Sequence, residues 1–211
     1  QFKWVPQHMM GIALSLKAEH EASAAYLEKA VDYGSEEPET YHMLSVNYFH
    51  LGRFGEAEKH GKEAVKRRED FLKAWLNLGS VYRSQAKLDE ALKCYQKANE
   101  LDPSNAGVAF RLGEIYRDQG DLDQAMELFD ITLQVDEDHI KAMLEKADIL
   151  KKRGSLEEAL TNLDEARDIH GDHPAIGISE AEVARFQGDY DKAITIYEST
   201  LEEYPESGPL R

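Results

Sequence analysis

Apolar and small side chains along this 211-residue chain fall at helical spacing, and the whole pattern repeats every 34 positions. In the best-patterned stretch Trp75, Leu78, Gly79 and Tyr82 mark one apolar stripe, and Ala91, Tyr95 and Ala98 mark a second. Polar and charged residues fill the positions between them. The stretch therefore predicts two amphipathic helices, one over about 72–85 and one over about 88–101.

Three columns of small residues run through the chain at this period. They are Gly11, Ser45, Gly79, Gly113, Ala147 and Ala181; Ser23, Ala57, Ala91, Ala125, Ala159 and Ala193; and Ala30, Ala64, Ala98, Thr132, Ala166 and Thr200. Helices approach closely only where neither presents bulk, so each column predicts a helix crossing, with large residues filling the grooves beside it. Two such filling columns are Leu14, Tyr48, Tyr82, Tyr116 and Leu150, and Phe54, Leu88, Leu122, Leu156 and Tyr190. Six units at one fixed period mean a stacked helical solenoid, in which each unit buries its stripe against its neighbours. The turn inside each unit is marked by Gly52, Gly120, Gly154 and Gly188, with Ala18 and Ala86 in the same place. A left-handed backbone there would end the first helix, and Asp121 and Asp189 would cap the second.

Between Trp75 and Pro103 the residues Trp75, Leu78, Gly79, Tyr82, Ala91, Tyr95, Ala98 and Pro103 resemble the tetratricopeptide repeat (TPR) pattern, and the next unit keeps Leu112, Gly113, Tyr116, Gly120, Ala125 and Phe129. The common register extends the resemblance to six repeats, about 4–37, 38–71, 72–105, 106–139, 140–173 and 174–207. It implies an all-α, right-handed superhelix of twelve repeat helices, forming one TPR array over 1–211. In that family the first helices of successive repeats line a concave groove that holds extended peptides or partner helices.

Mapping the groove onto this chain gives two unlike halves. The first is apolar, with His42, Val46, Phe49 and Leu76 beside His8, Ile12, Leu16, Met9 and Met43, and with Asn77 and Ser80 as polar interruptions. Its methionines suit an irregular ligand. The second brings Phe110, Arg111 and Glu114, and a basic column of Arg83, Arg117, Lys151 and Arg185 spaced by 34. That column either grips carboxylates of an acidic peptide or pairs internally, Glu114 with Arg117, Asp148 with Lys151 and Glu182 with Arg185.

Charge narrows the partners. Residues 1–105 carry 14 Lys plus Arg against 16 Asp plus Glu, whereas residues 106–211 carry 11 against 25, so nearly all of the net −16 belongs to the later repeats. Such a surface repels phosphate backbones, which argues against nucleic acid and anionic membrane. No apolar run is long enough to span a bilayer, so no direct membrane insertion is expected. The single Cys94 excludes an internal disulfide, and the chain opens on Gln1 rather than Met. A cytoplasmic setting is the expectation, with a periplasmic or membrane-attached one, through segments not in this sequence, kept as the alternative.

The carboxylate clamp of chaperone-binding TPR domains is matched by Asn77 and Arg111 but not at His42, Val46 and Gly107. His170 and His173 lack further ligands, and 118–123 lacks the calcium-loop spacing, so no metal or cofactor is expected. No nucleophile elbow or phosphate-cradling loop is present, and the chain is expected not to be an enzyme. Among departures from the repeat, Gly61 and Gly177 stand where large residues are usual and predict packing that is loose or filled from elsewhere. Lys146 and Glu180 replace Leu at equivalent positions and predict an ion pair across repeats, or two side chains reaching solvent. After Leu201, Pro205 and Pro209 oppose a capping helix, which predicts an exposed apolar last repeat unless the tail folds over it, and with it either self-association through that uncapped end or a chain cut from a longer protein.

These features point to a non-catalytic scaffold that holds a protein or peptide segment in its groove to assemble or localise a complex. Two alternatives remain: a structural scaffold that stacks its repeats end to end, and the interaction region of a larger enzyme or cell-envelope assembly or secretion factor.

Overall fold

The computed structural model describes residues 2–205, and these form twelve α-helices and no strand. In chain order they are α1 (Trp4–Leu16), α2 (His20–Asp32), α3 (Pro38–His50), α4 (Phe54–Arg67), α5 (Leu72–Ser84), α6 (Leu88–Leu101), α7 (Ala106–Gln119), α8 (Leu122–Val135), α9 (Ile140–Arg153), α10 (Leu156–His170), α11 (Pro174–Gln187) and α12 (Tyr190–Glu203). The all-α solenoid expected from the period is thus the fold, and α5 and α6 match their predicted spans to within one residue. The helices gather into two compact units divided between Gln119 and Gly120. Unit 1 holds α1 to α7 and unit 2 holds α8 to α12.

The turns form as the pattern requires. Gly52, Gly120, Gly154 and Gly188 all have positive φ, and Ala18 and Ala86 share that conformation at φ 58°. An alanine there bears the Cβ strain that glycine avoids, so these two repeats hold their turns at some cost in backbone energy. Asp121 and Asp189 accept the backbone N–H of Gln124 and Lys192, capping α8 and α12.

Seventeen of the eighteen small-column positions are buried, Thr200 being half-buried. Within a repeat, the first column meets a residue sixteen positions later. A Cβ on Gly79 would stand 2.6 Å from the Tyr95 ring, and one on Gly11 would collide with Leu27. In the second repeat the pair is inverted: Ser45 faces Gly61, and a Cβ on Gly61 would lie 3.0 Å from both Ser45 Oγ and Leu78 Cδ1. The place left open by Gly61 is therefore filled from elsewhere, by Leu78 and Ser45. Ser45 and Ser23 use their hydroxyls at the crossing, donating to the carbonyls of Ala57 (2.7 Å) and Gly11 (2.6 Å). A buried hydroxyl is tolerated there because its hydrogen bond is made.

Gly177 is filled by Thr200, whose Oγ1 lies 2.5 Å from where a Cβ would stand. Packing nevertheless stays open beside it, in a cavity of about 230 Å³ reached by Arg167, Glu180 and Thr200. Lys146 and Glu180 do not pair with each other. Lys146 binds Asp130 at 2.5 Å and Glu180 binds Arg167 at 2.6 Å, each reaching the second helix of the preceding repeat, because equivalent positions one repeat apart face that helix rather than one another.

In unit 2 a core of Met143, Ala147, Leu163, Ile176 and Val183 is sealed by the half-buried Leu156 and Leu160 of α10. The residues of α12 equivalent to these two, Tyr190 and Ile194, are exposed, as is Leu201. The apolar last repeat expected from the sequence is present among the described residues. Residues 206–211, including Pro209, lie outside them.

Candidate peptide-binding groove

The first helices of the second, third and fourth repeats, α3, α5 and α7, line a groove of about 460 Å³ within unit 1. Phe49 and His50 come from α3, Asn77, Ser80, Arg83 and Ser84 from α5, Arg111 and Asp118 from α7, and Tyr95 enters from α6. Five of the residues nominated from the sequence therefore meet here: Phe49, Asn77, Ser80, Arg83 and Arg111.

At one end Phe49 is half-buried, leaning on Phe54 at 5.7 Å and meeting His50 edge-on at 5.8 Å. In the middle Asn77 donates to Ser45 Oγ (2.7 Å), and the Ser80 and Tyr95 hydroxyls share a hydrogen bond of 3.0 Å. Burial pushes the Tyr95 phenol above its ordinary value, so it remains a neutral hydroxyl. At the other end Arg83 Nη1 reaches Glu114 Oε1 and its Nε reaches Asp118 Oδ2, both at 2.8 Å, while Arg111 Nη1 takes Glu114 Oε2 at 2.6 Å. Burial alone would raise the Asp118 carboxyl, but hydrogen bonds from Arg83 and Arg117 outweigh it and hold the group below the usual value.

The other nominated residues are placed as follows. Val46 and Leu76 are half-buried on α3 and α5. His42 packs against Phe71 at 5.0 Å, and burial lowers its pKa from 6.5 to about 4. Phe110 is only 5% exposed and serves the packing of α7, whereas Glu114, 8% exposed, is held between Arg83 and Arg111 at the end of the groove. Arg117 lies against Asp118 at 2.8 Å, and Glu114 is held by Arg83 and Arg111. In unit 2, Lys151 pairs with Asp148 (2.8 Å) and Arg185 with Glu182 (2.6 Å), the internal pairs that the three-residue spacing allowed. His50, Ser84, Tyr95 and Asp118 complete the groove without having been nominated. Tyr95 belongs to the apolar stripe with Ala91 and Ala98, and it is core, but its hydroxyl bonds Ser80 of the groove wall.

Among the described residues no helix is long and apolar enough to cross a membrane, and no three His, Cys, Asp or Glu side chains gather to hold a metal.

Helix pairs in one register, with an open groove along their first helices, define an α-helical repeat protein of the interaction-scaffold class. Family models for the TPR repeat match residues 79–120, and models for the tetratricopeptide repeat match 39–73, 116–183 and 180–207. The chain belongs to the tetratricopeptide repeat proteins. Over 93 residues it is 32% identical to small glutamine-rich tetratricopeptide repeat-containing protein 2 of Mycosarcoma maydis, a stretch that is 44% of this chain and 26% of that protein. The chain spans only 18–26% of the length of the curated relatives it matches. Its fold is similar to that of PilF of Pseudomonas aeruginosa (TM-score 0.78, 20% identity, 97% of this chain and 93% of that one). It is also similar to YrrB, described as a TPR protein with an unusual peptide-binding site (TM-score 0.62, 17% identity, 85% and 93%).

Proposed function

We propose that the chain is a non-catalytic adaptor that holds a segment of a protein partner in the groove of unit 1, and so brings that partner into a larger complex. The observation that carries this reading is the composition of the groove. An aromatic anchor at Phe49 of α3 stands at one end, and a hydrogen-bonding wall of Asn77, Ser80 and Arg83 of α5 and Arg111 of α7 follows it. Interfaces of this kind draw their energy from a few aromatic and arginine contacts. The peptide-binding site in YrrB's description supports the class of ligand.

Affinity capture with the purified array, followed by measurement of the captured partner's binding, tests it. Phe49→Ala is expected to weaken binding by about tenfold or more, with its salt dependence little changed. Arg111→Gln is expected to reduce the salt dependence. Lys93→Ala, on the exposed side of α6, is expected to change neither. A partner indifferent to Phe49 and Arg111 but lost with Lys93 would refute the proposal.

A second reading, self-association through the last repeat, is favoured by the exposed Tyr190, Ile194 and Leu201 of α12. Sedimentation across a wide concentration range reads it directly. Growth in mass that Ile194→Lys abolishes supports it, and a monomer throughout refutes it.

A further inference from the structure

Five of the eight histidines, His8, His20, His42, His50 and His60, fall within the first 60 residues; four are half-buried among α1 to α5, and the exposed His50 stacks on the ring of His20. We infer that the first two repeats form an acid-sensitive element, whose packing opens when His8, His42, His50 and His60 take up protons.

The geometry carries this. The His20 and His50 rings are stacked face to face, with centroids 4.4 Å apart and planes 11° from parallel. His20 Nδ1 is engaged with Asn47 Oδ1 at 3.0 Å, which fixes that ring between α2 and α3. A charge on the His50 ring would sit against the His20 face, with no carboxylate bonded to either ring among the described residues.

His60 of α4 lies against Tyr48 at 5.6 Å and Tyr41 at 6.3 Å, both from α3. The charged groups facing it are Lys59 on its own helix, Glu56 on the same helix and Glu28 of α2. His42 is wedged against Phe71, with its Nδ1 buried and without a hydrogen-bond partner. Lys73 and Arg68 face it from the start of α5 and the preceding turn, opposed only by Glu39 of α3. His8 Nδ1 meets Thr40 Oγ1 at 2.9 Å, and that hydroxyl is bonded in turn to Ser35 Oγ at 2.8 Å. Glu37 and Glu39 are the charges near His8.

Burial pushes His8, His42, His50 and His60 below the ordinary 6.5, His42 to about 4. Each of these groups binds a proton more readily in the unfolded chain than in the folded one. Their stabilising contribution is therefore complete above pH 6.5 and is lost as pH falls from there toward the folded values. Carboxylates held low by their partners, such as Glu58 at about 2, keep their contribution until pH drops below their usual 4.5. The interval between pH 6.5 and 5 belongs to the histidines. Because His50 and Phe49 form one end of the groove, opening α1 to α4 would also dismantle that wall.

Amide hydrogen exchange at pH 7.5 and 5.0, corrected for intrinsic rates, measures the opening of α1 to α4 in the whole chain and needs no ligand. At pH 5.0 the opening equilibrium is expected to rise by about thirtyfold from His42 alone, and further with the other three. His42→Gln with His50→Gln is expected to lose most of this rise. The quantity compared is the ratio between the two pH values within each protein, which removes any loss of stability common to both. An opening that is the same at both pH values overturns the inference, as does a double variant that keeps the full response. If the double variant does not fold, titration of the imidazole C2–H resonances of the wild type decides: values near 6.5 for His42, His50 and His60 overturn it.

Discussion

Gly79→Leu is expected to unfold unit 1 at distinctly lower urea concentration, because its Cβ alone would enter the Tyr95 ring at 2.6 Å. Tyr95 has no exposed surface, and its hydroxyl is tied to Ser80, so the ring cannot swing aside without breaking that bond and leaving a void behind it. Overpacking of this kind costs about 1–3 kcal/mol and sometimes more; a crossing that needs contact between backbone and ring belongs at the upper end. Gly55→Ala is the control. It lies in α4 with nothing within 4 Å of a new Cβ, and replacing a helical glycine should stabilise by up to about 1 kcal/mol. Equal midpoints for Gly79→Leu and the wild type in urea unfolding would show that the small column does not mark the crossing.

Leu163→Ala should produce the second large loss, about 2–5 kcal/mol from a fully buried leucine. Leu163 stands in the same column as Gly61, Tyr95 and Phe129, and the chain itself shows what a small residue there requires. At Gly61 the space is taken by Leu78 and Ser45. The positions equivalent to those two around Leu163 are Glu180 and Ala147. Glu180 is held by Arg167 at 2.6 Å and Ala147 is too short, so neither can close the cavity. Circular dichroism during urea unfolding of the variant reads the loss in unit 2. A cost below about 1 kcal/mol would mean that the core around Met143, Ile176 and Val183 collapses freely into the gap.

The 34-residue register made most of the fold legible, because close helix approach demands small residues at fixed places and left-handed turns favour glycine. Even Ala18 and Ala86, poor residues for that turn, were readable from their alignment with Gly52 and Gly120. The groove was only partly legible. A period identifies equivalent positions, but a long side chain reaches one turn up or down from its equivalent. Arg83 therefore finds Glu114 and Asp118, 31 and 35 residues away, rather than a partner at 34. Opposite charges bracketing one period were the available signal for this network. Lys146 and Glu180 misled for the same reason: equal positions in successive repeats look toward the preceding second helix, where Asp130 and Arg167 stand. Tyr95 hid its second role because a core ring and a groove hydroxyl occupy one side chain.

The proposal that unit 1 holds its partner along α3, α5 and α7 is tested most directly by site-specific photo-crosslinking. A crosslinking amino acid placed at Ser84, in the groove, should trap the captured partner. The same amino acid at Lys93, on the exposed side of α6, should not. Trapping from Lys93 with none from Ser84 would contradict the account and move the binding surface to the second helices.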